Sequence, residues 1–356
     1  MKKTLAVLSI TMLLSLAIFS QRAEIIAQVM EIGLERRMGA NTIAELQDGL
    51  HLTLCGAGGP MPAPKASGPC VAVIAGKQLF IVDAGTDGVR NLTRMGYSAG
   101  DINAVLLTHF HSDHIDGLGE LATLRWVSAA KTTPLPVYGP TGVEQVVSGF
   151  NTSYAADMNY RHAHHGDTVA PVSGAGMQAM PFTPPPLGRL TSVIAVGDLT
   201  IEALTVDHFP VVPAVGYRFI YKDRSLLITG DTVKLPNIQM FARDVDLLVH
   251  EALAPNLLNM MQETAENIGD SVMAKITHDV LDYHASPVEA AETARDAGVG
   301  HLLYYHIVPP LVLPGQKALY LNGAQKIFSN YTIGEDGTSF SLPAGSEEIL
   351  ITRKGL

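Results

Sequence analysis

A layered α/β fold is what this sequence predicts, and three observations carry the prediction. Apolar runs of three to eight residues recur along the chain, among them Leu79–Val82, Ala104–Leu107, Leu227–Thr229 and Leu302–Tyr305. Several end in short turns that bear histidine or aspartate, as in Thr108-His109-Phe110-His111 and Gly230-Asp231. A strong helix signal then separates the last two runs: Ser286-Pro287-Val288-Glu289 fits a capping box with proline at the first helical position, and Gly298 fits the stop. Buried strands alternating with helical segments are the pattern of an α/β domain.

Taken in order, the chain opens with Met1-Lys2-Lys3 and an uncharged apolar stretch, Thr4–Phe19. A basic start followed by such a stretch reads as a secretory signal, or as an anchor if it is not cleaved. It is slightly short of the roughly 20 residues that a membrane span takes. Residues 1–20 are therefore read as signal peptide or N-terminal anchor, the only part expected to meet a membrane, and the location as periplasmic or secreted. Glu24–Arg37 reads as an amphipathic helix with Ile25, Val29, Ile32 and Leu34 among charges, so residues 21–49 form a helical appendage. Residues 50–356 form the main, catalytic domain.

Within it, Gly56–Pro69 is dense in glycine and proline and reads as a loop. Cys55 and Cys70 flank that loop. If their strands pair as a hairpin they sit at one end of it, and a disulfide there is worth roughly 3 kcal/mol; two buried free thiols are the alternative. Asp83 either orients a metal ligand or caps a helix. Pro136–Gly142 reads as a strand leading into a helix. Val169–Leu190, with Pro184-Pro185-Pro186, reads as an exposed loop, and His162, His164 and His165 before it as a polar loop or a rim of the substrate pocket. Leu199–Val206 alternates and reads as a strand, and Val215–Tyr221 with Ser225–Thr229 as a hairpin.

The stretch richest in chemistry is Thr108–Gly117, which holds His109, His111, Asp113 and His114 directly after a strand. Imidazole nitrogen and carboxylate oxygen are ligands that zinc and similar borderline metals accept. His-x-His-x-Asp-His at this place resembles the signature of the metallo-β-lactamase-fold hydrolases, over roughly residues 50–310. The resemblance implies a four-layered αβ/βα sandwich with two Zn²⁺, or other divalent transition metals, at a shared strand edge. It assigns His109 and His111 to one metal and Asp113 and His114 to the other. The three further ligands it requires are met in order by His208, the bridging Asp231, and His306, each after an apolar run.

Asp231, His250-Glu251 and His284 together resemble the subgroup that includes ribonuclease Z, phosphodiesterases and zinc-dependent arylsulfatases. By that resemblance His284 contacts the reacting phosphate or sulfate, Glu251 orients it, and Asp113 joins them in the catalytic set. Two metals can make a hydroxide available near neutral pH and neutralise the oxygens of a tetrahedral centre.

Composition enters the choice among reactions. The chain has 356 residues, 47% hydrophobic and 16% charged, with a formal net charge of -10 and no lysine/arginine run. That is enough for one large core, and it argues against a nucleic-acid partner, which normally meets a basic surface. The expectation is therefore an exported hydrolase of small anionic phosphodiesters or aryl sulfate esters, with a homodimer as the assembly to look for. A lactonase or β-lactamase-like hydrolase, and a ribonuclease Z-like RNA endonuclease, are the alternatives.

Overall fold

The computed structural model describes residues 21–35, 38 and 41–356. The predicted leader, residues 1–20, and the end of the amphipathic segment, Arg36 and Arg37, lie outside the described residues. The chain divides into two units, residues 1–42 and residues 43–356. In the first, residues 21–35 are helical. No helix among the described residues is long and apolar enough to cross a membrane.

The second unit is built on two sheets. The chain lays down β1 (Gly49–Gly56), β2 (Cys70–Ala75), β3 (Gln78–Val82), β4 (Ile102–Leu106), β5 (Leu135–Pro140) and β6 (Met177–Phe182) in the first. It then builds β7 (Thr191–Val196), β8 (Leu199–Thr205), β9 (Val215–Tyr221), β10 (Arg224–Ile228), β11 (Leu247–Leu253), β12 (His301–Val308) and β13 (Tyr331–Ile333) in the second. β14 (Thr338–Pro343) and β15 (Leu350–Arg353) return to the first sheet beside β1. Its order is β15-β14-β1-β2-β3-β4-β5-β6, and that of the second is β13-β12-β11-β10-β9-β8-β7.

The period-2 alternation of each strand decides the layers. Leu52, Val73, Phe80 and Leu106 point inward and pack on Ile201, Tyr217, Phe219 and Val249 of the second sheet. Their sequence neighbours Ile74, Ile81 and Val105 point outward onto Leu92, Leu118 and Leu121. On the far side, Leu227, Leu248 and Leu302 pack on Ile238, Ala290 and Ala294. Helices therefore cover both outer faces, which gives the four-layered αβ/βα sandwich. Central strands read as continuous apolar runs because both of their faces are buried.

Two local expectations change. Val169–Leu190 is not a single loop: Met177–Phe182 pairs in parallel with Leu135–Pro140 as edge strand β6. Pro181 hid it, and an edge strand tolerates a proline because one side has no partner to receive the missing N–H. His162, His164 and His165 are not in a loop either. They occupy the last turn of the helix Val143–His165, where a histidine suits the helix dipole. Cys55 and Cys70 form a disulfide across the β1–β2 pair, with Cα atoms 5.0 Å apart.

Candidate metal centre and active site

The site lies at the carboxyl ends of the parallel strands, where layered α/β folds gather their ligands. β4 ends at Leu106, and the chain turns through Leu107 and Thr108 to place His109 fully buried. His111 stands at the start of the short helix Ser112–Ile115, whose first turn presents Asp113 and His114. His208 follows β8. Asp231 follows β10 through Gly230, at φ 64°. A Cβ on Gly230 would meet Thr108 Cβ and Val215 O at 2.9 Å, so the turn that aims Asp231 requires glycine.

His306 is placed by a bulge. Glu251 pairs with Tyr305 and Ala252 with Ile307, which leaves His306 as the extra residue, at φ 47°. A bulged residue re-aims its side chain out of the ladder's alternation, and His306 is thereby turned into the site.

The seven predicted ligands converge. His109, His111, His208 and Asp231 form one group, and Asp113, His114 and His306 a second. Asp231 Oδ2 lies 3.3 Å from His306 Nε2, 3.4 Å from His114 Nε2 and 3.9 Å from both His109 Nε2 and His208 Nε2. Donor atoms about 2.0–2.1 Å from one tetrahedral zinc stand about 3.3 Å from each other, so these separations suit shared ions and put Asp231 between them. The buried atoms His109 Nε2, His114 Nε2 and Asp231 Oδ1 have no hydrogen-bond partner. Atoms of that kind are rare in folded proteins unless an ion or water serves them. The donor set fits two divalent transition-metal ions, zinc among them.

Hydrogen bonds fix which nitrogen faces the metals. Asp83 Oδ2 accepts from His114 Nδ1 and from Thr108 Oγ1, each at 2.8 Å. With its hydroxyl proton given to Asp83, Thr108 Oγ1 accepts from His109 Nδ1 at 3.0 Å. His208 Nδ1 donates to Tyr283 O at 2.9 Å. In all three rings the Nε2 lone pair is left for metal, the usual division of labour around ligating histidines. Asp83 thus orients ligands rather than capping the next helix.

Electrostatics agree with this assignment. Burial holds His109 well below the usual histidine range and lowers His111 and His208 as well, so they are neutral donors. Burial opposes the ionisation of Asp231, but His306 and His114 outweigh it and hold the carboxyl well below its usual range. For His114 burial is likewise outweighed, by Asp231 and Asp83, which raise it well above the usual value. Carboxylates that would hold a second proton on Nε2 hold a divalent cation there in its place.

His284 stands beside the ligands, its ring 5.1 Å from that of His208 and 5.7 Å from that of His306. Its Nδ1 lies 3.0 Å from Glu251 Oε1, which also accepts from the Ala285 and Thr232 N–H groups at 3.1 Å. Burial lowers the affinity of His284 for its proton, but Glu251 and then Asp231 outweigh it and bring the pKa to about 8. A cleft of about 470 Å³ opens over Asp113, Asp231, His284 and His306.

One clamp had no signal in the sequence. Buried Asp336 accepts from the Ala57 and Ser67 N–H groups, both at 2.9 Å, and from Asn91 Nδ2. It ties together the two stems of the glycine-rich loop, whose tip, Pro60–Pro62, lines the cleft.

Comparison with known proteins places this architecture. A family model described as the metallo-beta-lactamase superfamily matches residues 64–326. Ribonuclease Z of Mycobacterium bovis is 35% identical over 290 residues, which cover 81% of this chain and 96% of that protein. Ribonuclease Z of Mycolicibacterium gilvum is 36% identical over 274 residues, covering 75% and 87%. Among solved structures, YhfI of Bacillus subtilis matches with TM-score 0.58 at 22% identity, over 82% of this chain and 99% of that one. The short form of human tRNase Z matches with TM-score 0.58 at 20% identity, over the same shares, and shows the likeness of fold.

These relatives overturn two expectations. Matches to ribonuclease Z over nearly its whole length displace the reading as a hydrolase of small phosphate or aryl sulfate esters. They also displace the exclusion of nucleic acid. That exclusion rested on the formal net charge of -10 and the lack of a lysine/arginine run, features of the whole chain that do not report the field at the site, where metal cations, once bound, would be the largest local charges. By its matched residues, its four layers and its dimetal ligand set, this chain belongs to the metallo-beta-lactamase superfamily of hydrolases.

Proposed function

We propose that this chain hydrolyses phosphodiester bonds of RNA, as the name of its ribonuclease Z relatives implies for them. The observation that carries the reading is the His284–Glu251 pair, set beside the dimetal ligands and opening on the same cleft. Lactone or amide hydrolysis needs no second charged group shaped for a tetrahedral anion; phosphoryl transfer uses one.

When bound, the two metals supply a nucleophile at neutral pH and neutralise charge on the phosphate oxygens. The protein does the rest. Asp83, Thr108 and the Tyr283 carbonyl hold the ligand rings in register. Glu251 fixes the His284 ring through Nδ1, which leaves Nε2 to face the substrate. The Glu251 carboxylate favours a protonated His284 ring, and its Nε2–H is placed to pass a proton to the oxygen that leaves phosphorus.

The test is cleavage of an end-labelled precursor tRNA and of an unstructured RNA by the metal-loaded protein. Endonucleolytic products that Asp231→Asn abolishes are expected. Intact RNA with two metals bound per chain would overturn the reading.

For location we propose the periplasm or the exterior, supported by the Lys2-Lys3 leader and by the Cys55–Cys70 disulfide, a bond that persists in oxidising compartments. A reporter fused behind roughly the first thirty residues should be exported; its retention in the cytoplasm would refute this.

A further inference from the structure

We infer that the apolar wall of the cleft seats the nucleobase next to the scissile phosphate and accepts any base. The inference rests on the phosphodiester reading above and deepens it.

The cleft has two unlike halves. Asp113, Asp231, His284 and His306 form the reacting side. Met61, Leu258, Met273, Ile276, Val280 and Val308 line the rest as an apolar wall. The wall is delivered by the glycine-rich loop and by two helices after β11, Pro255–Ile268 and Ser271–Asp279, joined through Gly269 in the left-handed region. Met273, Ile276, Thr277 and Val280 recur at the i, i+3, i+4, i+7 spacing of one helical face, and that face lines the cleft. At the base of the wall Leu258 and Val308 are buried, but Met273 and Ile276 remain 37% and 50% exposed. An apolar surface left open beside convergent polar groups is the usual build of a ligand pocket.

The chemistry of the wall selects its occupant. Among the described residues, no lysine or arginine lines this cleft. A second phosphate would find no countercharge there, so the group against the wall is the uncharged neighbour of the reacting phosphate. Two methionine thioethers, from Met61 and Met273, suit the face or edge of an aromatic ring and adapt to its size. Thr277 is the polar side chain of that helical face, and its hydroxyl is already committed to the carbonyls of Met273 and Ala274. The wall therefore offers stacking without reading a base edge, which gives affinity that tolerates all four bases.

Equilibrium binding tests this without turnover. Adenosine 5′-monophosphate should bind the metal-loaded protein about tenfold more tightly than ribose 5-phosphate, the scale of partly burying one apolar group. Guanosine, cytidine and uridine 5′-monophosphates should bind within a few-fold of it. Met273→Asp and Ile276→Asp should erase the advantage, and Met61→Ala, from the facing loop, should reduce it. Val272→Asp, on the same helix but outside the lining face and 69% exposed, should keep it. Equal binding of adenosine 5′-monophosphate and ribose 5-phosphate, or an undiminished preference in Met273→Asp and Ile276→Asp, would overturn the inference. RNA cleavage is scored separately. A wild-type protein that cuts RNA but binds the nucleotide no more tightly than ribose 5-phosphate loses only the seat, and one that prefers the nucleotide but leaves RNA intact loses only the RNA reading.

Discussion

Replacing Asp83 by asparagine should remove one metal and spare the other. Asp83 is buried, at φ 58°, a conformation that asparagine also tolerates, so the backbone is kept. Its Oδ1 accepts from Thr108 N at 2.8 Å, while Oδ2 accepts from Thr108 Oγ1 and His114 Nδ1 at 2.8 Å. An amide cannot serve both sides. If its oxygen stays on Thr108 N, its NH₂ faces the His114 Nδ1–H. If it flips, its NH₂ faces the Thr108 N–H. The first arrangement is relieved when His114 moves its proton to Nε2, the atom that must bind metal. Thr108 Oγ1 can still accept from His109, so the ring of the first metal group keeps its tautomer. Loss of such a supporting partner lowers metal affinity by about 10- to 100-fold, or ~1.4–2.7 kcal/mol. Metal content measured after equilibration with graded chelator should fall from two toward one per chain, at a chelator strength that leaves the wild type full. Circular dichroism should be unchanged. Equal retention of both metals by Asp83→Asn would refute the tautomer argument.

His284→Ala should keep both metals and lower turnover by roughly 10²–10⁴, with the smallest loss on substrates whose leaving oxygen needs no proton; loss of a metal, read from metal content, would make His284 a ligand instead. Activity that needs protonated His284 should decline as pH rises through about 8, and Glu251→Gln should move that decline toward lower pH, because Glu251 is the larger of the two carboxylate influences that hold the proton; a pH–rate profile unmoved in Glu251→Gln counts against the pairing. The same elevation stabilises the fold fully below the ordinary histidine value of 6.5, and that contribution is lost as pH rises through about 8. Asp336→Ala leaves the Ala57 and Ser67 N–H groups without their acceptor. It should cost about 2 kcal/mol or more in denaturant unfolding and raise KM through the freed loop, whereas an unchanged midpoint would show that the clamp is idle.

The ligand set was legible in one dimension because each ligand follows an apolar run, and an apolar run that ends abruptly fixes both a strand and the point where its chain emerges. His109, His208 and Asp231 are of this kind. His306 also ends an apolar run, but nothing in Tyr304-Tyr305-His306-Ile307 marks the bulge that turns it into the site, which exists because β11 and β12 carry unequal numbers of residues past Glu251. Edge strand β6 was lost to Pro181, since proline signals a loop until the neighbour that needs no hydrogen bond from it is known. The Asp336 clamp and the Tyr283 carbonyl were illegible. One joins residues 279 apart in the chain, and the other is a backbone atom that every residue possesses.

By itself the sequence determined the layered α/β class and the helix cap at Ser286, because each is written in local spacing and side-chain chemistry; the order of the candidate ligands came from the likeness to a known family. Only the tertiary structure decided which nitrogen His109, His114 and His208 turn toward the ligand cluster, what holds the glycine-rich loop, and that methionine and isoleucine share a cleft with the reacting centre. Those depend on groups brought together from distant segments, and spacing along a chain does not encode distance across it.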